Sequence, residues 1–356
     1  MTGAPQRWTF DDLLKAISSP SARWAAGRSP GGNCQALPIR AAVAVEWGHG
    51  RTTGVLPFRW RFVSERKSMS ILDETYTLSD GRTIPKLGLG TWMIEDDVVA
   101  QAIRDAVAIG YRHIDTAEGY HNERGVGEGV RTSGVAREEL FVTTKLQADF
   151  KTYDEAKAAI QQSFDLLDIE YIDLMIIHSP QPWAVFHSDD RFFEGNLEAW
   201  RALEEAHAAG LIRSIGVSNF DSADLQNLLD NGTVKPVVDQ VLAHVGNTPF
   251  ETIEYCREHD ILVEAYSPMG HGEILRNPAV IAMAEKYGMT VPQLCIRYTL
   301  QLGAVSLPKT ANPDHMRSNA EVDFVISDSD MDALKGVERV TDYGESSEFP
   351  VYWAKD

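Results

Sequence analysis

"IDLMIIH" (Ile172–His178), "NLEAWRALEEAHAAG" (Asn196–Gly210) and "RSIGV" (Arg213–Val217) follow one another in the sequence and make one unit. The first and last are apolar runs of strand length, and the middle stretch spaces its apolar residues as an amphipathic helix does. Gly210 stands where a helix C-terminus favours glycine. Two strands joined through a helix run parallel, because antiparallel neighbours need only a tight turn.

The same unit recurs outward from this stretch in both directions. Apolar runs end at Gly90 ("KLGLG"), Asp115 ("YRHID"), Lys145 ("LFVTTK"), His178, Val217, Gln240 ("PVVDQ"), Tyr266 ("ILVEAY") and Lys309 ("AVSLPK"), 23 to 43 residues apart. Helix-like stretches such as "DDVVAQAIRDAVAIG" and "YDEAKAAIQQSFDLLD" lie between them. Eight such units predict an α/β fold, the (β/α)8 TIM barrel, with its site at the C-terminal ends of the strands. A doubly wound sheet would carry a GxGxxG turn after its first strand. "GLGTWMIEDD" lacks the third glycine, and "GVGEG" from Gly125 follows a loop, so the barrel is preferred. "YTLSDGRTIP", with Asp80 and Gly81 as turn residues, predicts a β-hairpin closing the bottom of the barrel.

Charge divides the chain of 356 residues. Residues 1–68 carry ten Lys and Arg against four acids, a balance of +6, whereas the rest carries 23 basic against 48 acidic residues, a balance of −25. Trp8, Trp24, Trp47 and Trp60 fall in the first segment, which shows no sustained period and a breaker-rich middle. It is read as an extension without a fold of its own, ahead of a barrel domain over 69–356. Three origins compete for it: upstream sequence ahead of a true start at Met69, a targeting segment, or a disordered basic arm. The first is preferred, since "MSILDETYTLSDGRTIP" leads straight into the hairpin.

The acidic main body argues against nucleic acid or an anionic membrane surface as partner. No apolar run approaches the ~20 residues of a membrane helix. Cys34, Cys256 and Cys295 are widely spaced, with neither a disulfide framework nor a thiolate zinc site among them, which suits a reducing, cytoplasmic setting. His121, His187, His207, His244 and His271 show no metal-ligand spacing and are read as surface or loop residues, with no metal expected. His113 is read as a core histidine or one lying behind the site, and Asn122 and Glu123 as capping the second helix.

In a barrel, strand-end residues meet at one mouth. Asp115, Lys145 and His178 then become neighbours, and Tyr120, in the loop after Asp115, hangs over the same point. An ammonium beside a phenol lowers its pKa, and Asp115 would hold Lys145 charged and oriented. Tyr120 would exchange a proton with a carbonyl oxygen that His178 orients. None of these residues donates hydride, so reduction requires a nicotinamide.

The motifs "GLGTW", "RHIDTAEGYHNE", "TTKL", "DLMIIHSP", "IGVSNF", "AYSPMGHGEIL" and "LPKTANPDHMRSNAEV" resemble the aldo-keto reductase superfamily, in order, over residues 72–356. "GHGEIL" and "NAEVDF" look most like bacterial 2,5-diketogluconate reductase-type members. The resemblance implies Asp115, Tyr120, Lys145 and His178 as a catalytic tetrad with Tyr120 the general acid. It implies Ser218, Asn219 and Gln240 on a nicotinamide carboxamide, Tyr266 stacked on its ring, and Thr91 and Ser267 among the cofactor contacts. Lys309, Thr310 and Asn319 match the family's clamp for an adenosine 2′-phosphate. His315 departs from it: an arginine usually stands there, and neutral imidazole lacks the guanidinium fork. Arg317 would point elsewhere on its helix. NADP(H) is the expected cofactor, with NAD(H) the alternative.

Trp92, Gln147, Ser179 and Trp183 are the expected substrate pocket. Gln147 and Ser179 stand where many members carry tryptophan, and "DQVLAHV" loses the usual "NQxExHP" ending, which implies a roomier or more polar side. Trp183 is a candidate to refill it, although Trp92 and Trp183 serve equally as packing. Phe349, Tyr352 and Trp353 are candidates for a further wall. The expected function is reduction of an aldehyde or ketone, sugar-derived or dicarbonyl, by a monomer or weak dimer. Two alternatives stand beside it: an NAD-linked alcohol dehydrogenase, hinted at by His315, and a non-catalytic nicotinamide-binding barrel.

Overall fold

Each apolar run must find partners for its backbone N–H and C=O groups, and the helices that follow the runs force those partners to be parallel. The computed structural model describes residues 70–352. The expected extension over 1–68, the boundary at Met69 and the tail residue Trp353 lie outside the described residues. Within them, β1 (Thr75–Thr77) and β2 (Thr83–Pro85) form an antiparallel hairpin with Tyr76 opposite Ile84. Then follow β3 (Leu89–Gly90), β4 (His113–Asp115), β5 (Phe141–Leu146), β6 (Ile172–Ile177), β7 (Ile212–Ser218), β8 (Val238–Leu242), β9 (Leu262–Tyr266) and β10 (Val305–Leu307).

These eight strands pair in sequence order, every pair parallel. The last returns to the first: Gly88 N donates to Ser306 O at 3.0 Å, Ser306 N to Lys86 O at 2.9 Å and Gly90 N to Pro308 O at 3.0 Å. The sheet therefore closes into a (β/α)8 barrel, and each strand stops at or within two residues of the end predicted for its run.

Alternation along the strands sorts side chains between two cores. On β6, Leu174 and Ile176 pack inward with Phe141, Val238, Val305 and Leu307, whereas Met175 and Ile177 face the helices. Leu78 and Ile84 of the hairpin join the inward cluster. Asp80 accepts a hydrogen bond from Ser214 Oγ at 2.6 Å. The hairpin thus plugs the N-terminal end of the barrel, as predicted.

Helices α1 (Asp96–Ile109), α2 (Glu123–Arg131), α3 (Tyr153–Leu167) and α4 (Phe193–Ala208) cover the early strands. Gly110 closes α1 at φ 125°. Helix α4 begins three residues before the predicted Asn196, whose amide instead donates to Pro180 O at 3.0 Å. The glycines of "GVGEG" lie inside α2. A Cβ at Gly125 would stand 2.1 Å from Asp96 O, and one at Gly127 1.8 Å from Leu167 O. They bring α2 against α1 and the end of α3.

Candidate active site

Strand register delivers the site. Gly90 pairs with Asp115, Ser218 with Gln240 and Leu307 with Tyr266, so the residues ending successive strands ring one mouth. Lys145 is buried beneath it. Its ammonium donates to Asp115 Oδ1 and to Thr116 O, each at 2.7 Å, and lies 4.8 Å from the Tyr120 ring centroid. A three-residue turn, Glu118–Tyr120, carries the tyrosine. The His178 ring stands edge-on to Tyr120 with centroids 5.8 Å apart. The structure therefore brings Asp115, Tyr120, Lys145 and His178 together.

The electrostatics correct one expectation. Burial pushes the Tyr120 phenol above its usual pKa, and the Lys145 charge pulls it down without overcoming that penalty. Tyr120 is a neutral phenol here, poised as an acid. Burial works to lower Lys145, but Asp115 and Tyr120 outweigh it, and Lys145 is raised and fully charged. Burial and then the Lys145 charge drive His178 well below the ordinary histidine value, so it presents a neutral imidazole.

Around this centre lies a ring of amides and hydroxyls. Ser218 Oγ donates to Gln240 O at 2.7 Å, Asn219 Nδ2 to His178 O at 3.1 Å, and Tyr266 OH to Asn219 Oδ1 at 2.8 Å. Gln240 Nε2 donates to Asp115 Oδ2 at 2.8 Å and to Glu264 Oε2 at 2.9 Å. Glu264 was not among the residues expected at the site. The signal for it was a charge inside the apolar run "ILVEAY", two residues before Tyr266 and so on the same strand face.

Two cavities meet at Tyr120. One, of about 300 Å³, is lined by Trp92, Gln147, His178, Trp183, Ser218, Asn219, Gln240, Phe349 and Tyr352 among others. The Trp183 ring is edge-on to His178 at 5.1 Å, and Phe349 is edge-on to Trp92 at 4.9 Å. The other, a cleft of about 630 Å³, runs from Asp115 and Tyr120 past Tyr266, Ser267 and His271 to Lys309, Thr310, His315 and Asn319.

Besides Lys145, which lies beneath the mouth, two expected site residues line neither cavity. Thr91 is fully buried, with its N–H and hydroxyl both donated to Asp115 O, at 2.9 and 3.0 Å, so it ties β3 to β4 from behind. Ser179 is also fully buried. Its hydroxyl accepts from Gln181 N and its carbonyl from Lys151 Nζ, so its side chain shapes the loop after β6 and not the pocket wall. Asn122 sits at the start of α2 without a side-chain cap. It staples three segments instead, donating to Thr91 O and Ile94 O and accepting from Thr116 Oγ1. His113 is buried against Thr143 Oγ1 at 3.0 Å, as a core histidine should be. His271, read as a loop residue, also packs edge-on to Trp92 at 5.0 Å. Arg317 turns away from the cleft and pairs with Asp314 at 3.0 Å.

The sequence profile of the Aldo/keto reductase family matches residues 86–339. The chain is 38% identical over 270 residues to the glyoxal reductase of Bacillus subtilis, covering 75% of this chain and 94% of that protein. It is 39% identical over 260 residues to the 9,11-endoperoxide prostaglandin H2 reductase of Trypanosoma cruzi, covering 72% and 88%. Among solved structures, the aldo-keto reductase of Bombyx mori in complex with NADP superposes with a TM-score of 0.68 at 34% identity, over 78% of this chain and 98% of that one. With a closed barrel, a continuous match across most of its length and the four residues gathered at its mouth, the chain belongs to the aldo/keto reductase family.

Proposed function

We propose that the chain is an NADP(H)-dependent reductase of small aldehydes and ketones. One observation carries the reading: Tyr120, a neutral phenol held by Lys145, lines both cavities at the point where they meet. A proton donor at the junction of two clefts serves a reaction between two bound molecules.

The larger cleft fits a dinucleotide phosphate by its donor set. Lys309 carries a cation at its wall, slightly weakened by partial burial, and Thr310, Ser267 and Asn319 add hydroxyls and an amide. Asn312 already caps the N–H of Asp314 at the start of the nearby helix Pro313–Ala320, so the side chains and not that turn are the main anion donors. Ser218, Asn219 and Gln240 would hold the carboxamide, and Tyr266 the ring. The relatives support the assignment: the Bombyx mori protein is complexed with NADP.

When bound, the reduced nicotinamide supplies hydride to the carbonyl carbon. Tyr120 gives its proton to the carbonyl oxygen, which becomes the alcohol hydroxyl. Lys145 stabilises the tyrosinate left behind, and Asp115 keeps that ammonium fixed. His178, neutral, offers an N–H to the same oxygen without competing as a proton donor. Solvent then restores the Tyr120 proton.

Trp92, Trp183, Phe349 and Tyr352 give the smaller cavity apolar walls, while Gln147 supplies a polar side. The substrates that suit it are small carbonyl compounds with a second oxygen, such as dicarbonyls, in keeping with the name of the Bacillus subtilis relative. The test is NADPH oxidation in the presence of glyoxal or methylglyoxal, by the wild-type chain and by Tyr120→Phe. Turnover that the substitution lowers about 100-fold or more supports the reading. NADPH binding without turnover of any carbonyl in a broad panel would leave the non-catalytic barrel in its place.

A further inference from the structure

Gln240 is gripped from both sides. Its two amide hydrogens go to two carboxyl groups, Asp115 Oδ2 at 2.8 Å and Glu264 Oε2 at 2.9 Å. The reverse orientation would set the amide oxygen against the Asp115 carboxylate, so the nitrogen faces inward and Oε1 is left toward the cavity. Glu264 is fully buried, and its second oxygen has no hydrogen-bond partner among the described residues. His113 Nε2 is 3.8 Å from that oxygen. It makes no ion pair, because burial and then the Lys145 charge push His113 down to about 3 and leave it neutral.

We propose that Glu264 is a positioning residue for the tetrad: from below the mouth, it fixes the end of the Gln240 amide that faces the reacting centre. The proposal rests on the reductase reading only where turnover is measured. The titratable groups about Glu264 are Asp115 and His113 on β4 and Lys145 on β5; β8 presents Gln240, and β10 pairs Val305 with Glu264. Burial first, and then the Asp115 charge, raise Glu264 to about 8. At neutral pH it is protonated, and Asp115 faces no second buried negative charge. Once ionised, it would oppose the tyrosinate that forms as Tyr120 gives up its proton, so reduction slows. Tyr120 itself titrates above its usual value and cannot produce a decline near 8.

The test compares the wild-type chain, Glu264→Gln and Glu264→Leu. Three readouts serve: the NADPH dissociation constant, the pH dependence of kcat for reduction, and the infrared band of protonated carboxyl groups at neutral pH. Glutamine keeps a neutral acceptor for Gln240. It should bind NADPH within about twofold of wild type, remove one protonated-carboxyl contribution from the difference spectrum, and abolish the decline near pH 8. Leucine orphans a buried N–H and should weaken NADPH binding about tenfold. The proposal is overturned if glutamine is as damaging as leucine, if a folded leucine variant binds NADPH as wild type does, or if the difference spectrum shows no lost carboxyl band. Should the wild-type chain reduce no carbonyl, the reductase reading fails, while the NADPH titrations and the spectrum still decide the role of Glu264.

Discussion

The Lys145 ammonium lies 2.7 Å from Asp115 Oδ1, with the lysine side chain 1% and the aspartate side chain 5% exposed. Such a pair is tolerable only intact, since removing one partner strands a charge away from water. Lys145→Met and Asp115→Asn should each cost about 3–5 kcal/mol of stability as well as most of the turnover. The double variant should be more stable than the sum of the two losses predicts. Denaturant unfolding of the three variants measures this, and additive losses would show that the pair is not coupled.

On the proposed mechanism, Tyr120 sets opposite pH behaviour for the two directions of reaction. Reduction needs the protonated phenol, which persists beyond the ordinary tyrosine value because burial raises it. Alcohol oxidation must begin from the phenolate, so its rate should climb with pH after reduction has begun to fall. Initial rates in both directions across one buffer series check this. In the Glu264→Gln variant, which lacks the Glu264 titration, an oxidation rate that declines alongside reduction would remove Tyr120 as the group that exchanges the proton.

His315 is exposed at the far end of the larger cleft, beyond Lys309. His315→Arg places a guanidinium fork where a 2′-phosphate would lie, and should lower the KM for NADPH about tenfold while leaving that for NADH unchanged. Lys309→Ala should raise the KM for NADPH more than that for NADH. Equal changes for both cofactors would mean that these residues do not meet the phosphate that distinguishes them.

Glu123 links pH to stability. Burial lifts its carboxyl to about 7, although Thr144 Oγ1 donates to it at 2.5 Å. A folded pKa above the unfolded one means the native state holds the extra proton. The stabilising contribution is complete below about 4.3 and is lost as pH rises through 7. Glu123→Gln should therefore be most damaging near pH 4 and least damaging near pH 8. Thermal midpoints at the two pH values give the sign directly.

Gly127 makes a steric prediction. Its hydrogen lies where a methyl group would stand 1.8 Å from Leu167 O, so Gly127→Ala must part α2 from the end of α3. The expected loss is about 1–3 kcal/mol, with unaltered cofactor binding.

The fold was legible because a barrel strand writes its own ending. Asp115, Lys145, Gln240, Tyr266 and Lys309 each follow an apolar run at the point where the chain leaves the sheet, and β-strand alternation turns each of them inward. What the sequence hid was the competition between environments at one atom. The spacing put an ammonium beside Tyr120 but gave no measure of burial, and burial decides the direction of its shift. Thr91 and Ser179 lie in the right loops, yet their side chains spend their hydrogen bonds on the backbone behind the cavities. Glu264 could have been suspected from its place on the strand. Its grip on Gln240 depends on the stagger of β8 against β9, where Gln240 pairs with Glu264, and a lone sequence does not print that register.

The hairpin beneath the barrel bears on where the proposed reaction draws its protons. Leu78 and Ile84 of the hairpin lie in one apolar cluster with Phe141, Leu174, Ile176, Val305 and Leu307 of the strands, below the polar mouth. For a proton that reaches Tyr120 through the mouth, the way passes the place where a substrate would sit. Replenishment and occupancy then exclude each other: the acid is renewed only between visits, after the product alcohol has made way for water. A bulky, slow-leaving alcohol would hold the enzyme in its spent form, and solvent deuterium would slow the recovery step of such turnovers more than those of a small, fast-leaving one.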